Sequence, residues 1–175
     1  MGIERPDQRG IDAARLRACA VEISPLPSGH HAGHLPFTKG TVLQDIKPGT
    51  AGHAEMVVGT NDTAPRVGTG RIAVLATPVM INLMEEAALA AVEHLLPEGK
   101  QSLGTRIDVT HIAATPIGMK VTATATVLEV DGRRVLLEIS ARDETDLIGE
   151  GRHERVVVTV ANFQTRIDEK AQRRG

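Results

Sequence analysis

Hydrophobic and polar positions divide this chain into a front part with no sustained period and a back part with two. Up to about residue 48, Pro6, Pro25, Pro27, Pro36 and Pro48 interrupt any long element, and arginines are scattered from Arg5 to Arg17. Residues 1–45 therefore read as a poorly ordered tail. At most a short helix is expected over Asp12–Val21, where Ala13, Leu16 and Ala20 recur at helical spacing. Beyond it, a first strand is predicted over Ala54–Val58 and an extended piece over Ile72–Ala76. The loop Thr60–Gly70 between them is rich in Thr, Gly, Asn, Asp and Pro. Thr77-Pro78 then has the form of a helix start, since a threonine hydroxyl can accept first-turn amides and proline suits the first helical position. The helix should run from Pro78 to Leu96. It is apolar almost all round, which suits an element enclosed by others, and Pro97-Glu98-Gly99 ends it.

After Gly99 the period changes to that of strands. Ser102–Ala113, Met119–Val130, Arg133–Arg142 and Ile148–Phe163 are rich in Val, Ile and Thr. Asp131-Gly132 marks a tight hairpin between two of them, and Asp143–Asp146 marks the next turn. One long helix followed by a meander of antiparallel strands predicts an α+β domain over residues 46–163, a curved sheet wrapped round the helix, with residues 164–175 as a charged tail. Such a sheet leaves an edge and a face that a second copy commonly satisfies, so a homodimer is expected.

Composition narrows the classes. With 175 residues, 41% of them hydrophobic, the chain suffices for one well-buried core. A formal charge of -2 supplies no field for nucleic acid or anionic lipid, and two aromatic residues, Phe37 and Phe163, offer no stacking platform for bases. No nucleic-acid partner is expected. Cys19 is the single cysteine, which rules out an internal disulfide and a cysteine-based zinc cluster and suits a reducing, cytoplasmic setting. The most apolar stretch, Val79 to Leu96, carries Asn82, Glu85, Glu86, Glu93 and His94, too polar for a membrane span, and no targeting segment is recognised at the start. His30, His31 and His34 lie in a Gly/Pro-rich stretch without carboxylate or cysteine, so no metal and no cofactor is assigned.

Candidate chemistry comes from polar residues in apolar surroundings. Glu85 falls in the middle of the predicted helix, where an ionised carboxylate needs a partner; alternatively, it reaches solvent along a narrow strip. His111 alternates in phase with Ile107 and Val109 and out of phase with Arg106, Asp108 and Thr110, which turns it toward the helix. A lone inward histidine is often just a satisfied core residue, but a Glu and a His able to meet across the helix–sheet interface form a base and its orienting partner. Thr77 reads equally as a cap. Gly104 marks either a close backbone approach to a ligand or a bulge, and Arg155 in Arg152-His153-Glu154-Arg155 reads most simply as a solvated strand end.

Several blocks in order carry a resemblance: Ala76-Thr77-Pro78 to Glu85, Ser102-Leu103-Gly104-Thr105, Val109-Thr110-His111, Ala113-Ala114-Thr115-Pro116 and Gly151-Arg152-His153-Glu154-Arg155. Over about residues 45–163 the chain resembles the fluoroacetyl-CoA thioesterase family of hotdog proteins. The resemblance implies a hotdog fold, hydrolysis of a small or medium acyl-CoA, Thr77, Glu85 and His111 as catalytic residues, and Gly104 and Arg155 as substrate contacts. One departure stands out. The fluoroacetate-specific member carries phenylalanines in the lid segment before its threonine, where this chain has Gly68 to Leu75 without an aromatic. Ile72, Val74 and Leu75 are expected to form a more open, aliphatic entrance.

Elementary chemistry is consistent with that implication. A thioester's thiolate leaves without strong acid assistance, so a base and amide donors for the oxyanion suffice; such a donor is typically worth about 3 to 4 kcal/mol. Two rivals remain open: a hydratase or dehydratase using Asp108 with His111, and an acyl-CoA binder without turnover.

Overall fold

A computed structural model describes residues 43 to 173. The readings made above on Asp12–Val21, on the histidine trio and on residues 1–42 lie outside the described residues. Strand β1 (Ala51–Val57) is followed by a single 3-10 turn and a one-turn helix α1 (Ala64–Val67). Then comes the long helix α2 (Thr77–Val92), prolonged by a 3-10 turn at Glu93–Leu95. Four strands follow, β2 (Lys100–His111), β3 (Lys120–Asp131), β4 (Arg134–Asp143) and β5 (Leu147–Thr159), and the terminal helix α3 (Val160–Gln172). The sheet order is β1-β3-β4-β5-β2, every pairing antiparallel, so β1 and β2 are its edges. The expected α+β layout forms, one helix lying on one face of one sheet.

The two periods explain the core. On α2, Met80, Leu83, Met84, Ala87, Ala88, Ala91 and Val92 are buried, a stripe at intervals of three and four residues. Against it lie alternate residues of β3 (Val121, Ala123, Ala125, Val127) and of β4 (Val135, Leu137, Ile139, Ala141). Each large aliphatic side chain buried here contributes about 1.5 to 3 kcal/mol. Near β1 the stripe is built of alanines because the helix comes very close. A Cβ placed on Gly52 would stand 2.2 Å from the backbone nitrogen of Ala91 and 2.5 Å from the carbonyl oxygen of Ala87.

Three details differ from the sequence reading. Among the described residues helix α2 is not enclosed on all sides: Asn82, Glu86, Leu89 and Ala90 are exposed, with Asn82 bonded to Glu86 at 2.7 Å. The extended piece before α2 joins no sheet strand among the described residues and makes two isolated bridges, Thr63 with Leu75 and Val74 with Pro116. The last strand stops at Thr159. From Val160 the apolar residues Val160, Phe163 and Ile167 follow helical spacing, and Gln164 bonds Asp168 one turn on, so helical periodicity prevails over the β-rich run before it. The Asp131-Gly132 hairpin forms as expected, with Gly132 at φ 58 and Asp131 paired with Arg134.

The contact at Gly52 gives a direct check. Gly52→Ala forces β1 and α2 apart and should destabilise the protein by about 2 kcal/mol or more, measured by urea denaturation; an unchanged midpoint would mean that the helix can shift freely.

Candidate functional site

The five candidate residues gather in two places. The first is the junction of α2 with the far end of β2. Ala76, not Thr77, caps α2: its backbone is extended and its carbonyl accepts the amides of Val79 and Met80, at 3.0 and 3.1 Å. The Ala76 amide is tied to the Asp62 carbonyl and the Leu75 amide to the Thr115 carbonyl, both at 2.9 Å. Thr115 is itself buried and donates to Asp143 at 2.9 Å, so the entry into α2 is fixed on several sides. Thr77, relieved of capping, places its Oγ1 2.9 Å from Nδ1 of His111. With Nδ1 as acceptor, the threonine hydroxyl donates and the pair has the form of a hydroxyl beside its base. Burial pushes the His111 imidazole below its ordinary 6.5, the Ala113 backbone opposing, and the ring's Nε2 is buried with no hydrogen-bond partner among the described residues. A neutral imidazole is the form that accepts a proton.

The second place is the near end of β2, where it pairs with β5. Glu85 lies there, not at His111; the two turns of helix from Thr77 to Glu85 amount to roughly 12 Å, which carries the carboxylate to the other end of the site. Its side chain is 43% exposed, so in the single chain it is not the desolvated carboxylate that an all-round apolar helix implied. Its Oε1 lies 3.5 Å from Nε2 of His153 and within 2.7 Å of the point where a side chain on Gly104 would begin. Gly104 also faces His153, whose Cε1 would stand 2.9 Å from that Cβ, and the register of β2 on β5 shifts between Gly104 and Arg106. Gly104 thus sits next to a bulge, and the groups that approach it closely are the side chains of Glu85 and His153.

Arg155 is not at a solvated strand end. It is 4% exposed, donating from Nε to Ser102 Oγ (2.9 Å), from Nη2 to the Ser102 carbonyl (3.0 Å) and from Nη1 to His153 Nε2 (3.0 Å). Ser102 in turn donates its hydroxyl to Glu93 at 2.7 Å. Burial lowers the guanidinium's pKa and Glu85 and Glu93 oppose it. His153, quoted in the sequence only as part of a run and given no role there, is 1% exposed. The signal was present: His153 and Arg155 share the phase of buried Gly149 and Val157 along β5, out of phase with Glu150, Arg152 and Glu154. Leu75 is 1% exposed and belongs to the core, so of the expected aliphatic entrance only Ile72, 74% exposed, and half-buried Val74 remain at the surface. Asp108 points to the opposite face from His111, 3.8 Å from Arg106. No cluster able to hold a metal is present among the described residues.

Comparison with known proteins identifies the relatives of the chain. Residues 58–161 match the family model FlK, fluoroacetyl-CoA-specific thioesterase. A fluoroacetyl-CoA thioesterase from Streptantibioticus cattleyicolor is 46% identical over 97 residues, 55% of this chain and 70% of that protein. Among solved structures, a threonine-to-serine variant of a fluoroacetyl-CoA thioesterase in complex with acetyl-CoA is 37% identical, with a TM-score of 0.66 over 71% of this chain and 98% of that one. A hot-dog-like protein from Thermanaerovibrio acidaminovorans is 31% identical, with a TM-score of 0.68 over 73% and 94% of the two chains.

A half-buried imidazole, His111, and a buried one, His153, imply a pH dependence of stability. Burial is the largest influence on both His111 and His153 and holds each below 6.5 when folded. As pH falls below 6.5 the unfolded chain takes up these protons first, so stability should decline on acidification from that point. Denaturation midpoints from there downward check it; a midpoint that holds or rises on acidification contradicts the burial of neutral rings.

Proposed function

Because this chain belongs to the FlK family of fluoroacetyl-CoA-specific thioesterases, we propose that it hydrolyses a small or medium acyl-CoA to free acid and CoA through Thr77, Glu85 and His111, at a pocket completed by a second copy. The family and its hotdog fold make the chain an acyl-CoA thioester hydrolase. The centre, the dimer and the acyl group are our reading.

One observation carries it: the site residues are divided between the two ends of one edge strand. Among the described residues, strand β2 has β5 on one side only. Thr77 and His111 lie at one end, while Glu85, Gly104 and Arg155 lie at the other, seven residues or on the order of 20 Å away along the strand. A two-fold axis between Ile107 and Asp108, midway between residues 104 and 111, pairs two β2 strands antiparallel. It sets each His111 beside the partner's Gly104, within reach of the partner's Glu85. The unpartnered Nε2 of His111 then has an acceptor, and a carboxylate half in solvent has a role.

In this arrangement His111 takes a proton from Thr77 or from a water that Thr77 positions, and the oxygen so activated attacks the thioester carbonyl. Negative charge grows on the carbonyl oxygen, where the Gly104 amide and the start of α2 are suitable donors. The C–S bond breaks, and CoA leaves as a thiolate that needs little acid assistance. Glu85 stabilises the imidazolium in the interval. The missing side chain at Gly104 leaves room for Glu85 and His153 beside the substrate. Arg155, buried beneath it, has two N–H donors uncommitted and meets the substrate or CoA from below. The 68–75 segment without aromatics favours plain aliphatic acyl groups beside the fluorinated one, and a single cysteine suits a cytoplasmic setting.

The test is release of free CoA thiol from a panel running from fluoroacetyl- and acetyl-CoA to medium-chain and aryl acyl-CoAs. His111→Ala and Glu85→Gln should each lower kcat by about a hundredfold or more. Subunits carrying one substitution each, mixed and reassociated, should regain about a quarter of wild-type activity, since half the dimers then hold one intact site of two. Mixed subunits that stay inactive would remove the shared pocket, and a folded wild type that releases no thiol would remove the hydrolase reading.

A further inference from the structure

The mechanism above leaves a buried ionisable group without a role. His153 stands on β5, opposite Ile107 of β2 and Leu137 of β4, and faces α2. Its Nδ1 is 2.9 Å from the Arg106 carbonyl, and its Nε2 is 3.0 Å from Nη1 of Arg155 and 3.5 Å from Oε1 of Glu85.

These contacts determine which nitrogen carries the proton. Arginine donates and cannot accept, so Nε2 must offer a lone pair to Arg155; a carbonyl accepts and cannot donate, so Nδ1 must carry the hydrogen. The opposite tautomer would set two N–H groups 3.0 Å apart and leave the Arg106 carbonyl, turned toward the ring beside the bulge, without its donor. In the tautomer so fixed, Glu85 faces a lone pair and not an N–H. Its carboxylate is near His153 without being bound by it.

We propose that His153 is a positioning residue, locked as the neutral Nδ1–H tautomer between Arg155 and the Arg106 carbonyl, and that this lock keeps Glu85 free for the reaction. The inference rests on the reading of Glu85 as catalytic. A protonated ring would donate from Nε2 to Glu85, bind the carboxylate to the sheet, and confront Arg155 with a second cation. The charged groups facing the ring are Glu85 from α2 and Arg155 from β5, with Glu93 one step away through Ser102. Strand β2 contributes only a carbonyl, the side chains of Arg106 and Asp108 being exposed, and β4 contributes apolar Leu137. Burial, with Arg155 adding to it, holds the imidazole below its ordinary 6.5 against the opposing pull of the Arg106 carbonyl and Glu85, so the neutral form prevails at neutral pH. Cε1 and Nε2 of the ring lie 2.9 and 3.5 Å from the point where a side chain on Gly104 would begin, and with Nε2 unprotonated the ring presents no competing donor there.

The full chain labelled with 15N-histidine gives a readout independent of turnover, His153 being assigned by the signals lost in His153→Gln. At pH 7 its Nε2 should appear unprotonated and its Nδ1 protonated, and should remain so in Glu85→Gln. In kinetics, His153→Leu should lower kcat about tenfold or more with KM within about threefold, its fold checked by circular dichroism. His153→Gln, which still accepts from Arg155 but cannot be charged, should restore most of that loss and remove one of two proton uptakes from the acid limb of kcat. An Nε2–H tautomer, a charged ring at pH 7, or a His153→Leu enzyme with wild-type kcat would overturn the proposal. A wild type without turnover defeats the hydrolase reading instead, and leaves the tautomer measurement standing.

Discussion

The close approach of α2 to β1 is the constraint from which the remaining geometry follows. Where Gly52 meets Ala87 and Ala91 there is no room for a methyl group, so the helix cannot slide or rotate without a backbone collision. With that contact fixed, the buried stripe from Met80 to Val92 selects which side of the helix faces the sheet. The residues on its flank, Thr77 and Glu85, are then set at two definite heights over β2. A looser helix, packed through long flexible side chains, would hold a hydroxyl and an imidazole at 2.9 Å only part of the time.

The polar layer under Gly104 solves a different problem. A guanidinium out of water needs acceptors, and Arg155 finds three, the Ser102 hydroxyl, the Ser102 carbonyl and His153 Nε2, with Glu85 and Glu93 offsetting its charge. The chain Glu93–Ser102–Arg155–His153 couples the turn after α2 to β2 and β5. It stiffens an edge strand that has a neighbour on one side only. Breaking any member strands a buried polar group, so the row acts as a unit.

What was legible in the sequence followed from periodicity and turn chemistry. The helix, the four strands after it, the Asp131-Gly132 hairpin and the inward turn of His111 all rest on local patterns that the tertiary structure keeps. The family was legible too, because its motifs sit at those fixed places. Harder to see was anything set by a partner outside the element. Thr77 has the residue type of a cap, but whether its hydroxyl turns to the helix or to His111 depends on a strand more than thirty residues on. Arg155 looked solvated because its neighbours Arg152 and Glu154 are charged; only the phase it shares with Val157 shows that alternate residues of that run face inward. The strand Ile148–Phe163 was read too long because Val and Thr persist to its end, while the helical spacing of Val160, Phe163 and Ile167 is visible only over a wider window. Glu85 and His111 were expected to meet because both face the helix–sheet interface, a statement about faces that says nothing of position along them.

That last point bears on the kind of reaction the surface suits. A hydratase needs two proton carriers over adjacent carbons, and the nearest carboxylate in sequence to His111, Asp108, is held on the opposite face beside Arg106. One neutral imidazole with a hydroxyl at 2.9 Å is matched to a reaction whose leaving group departs unaided. A thioester is such a substrate. A protein built only to retain acyl-CoA would gain nothing from an imidazole held below 6.5 next to that hydroxyl, since binding needs no proton acceptor, whereas a base needs its free lone pair at neutral pH. On the proposed reading, the pairing of Thr77 with His111 therefore suits cleavage of the bond that joins the acyl group to CoA.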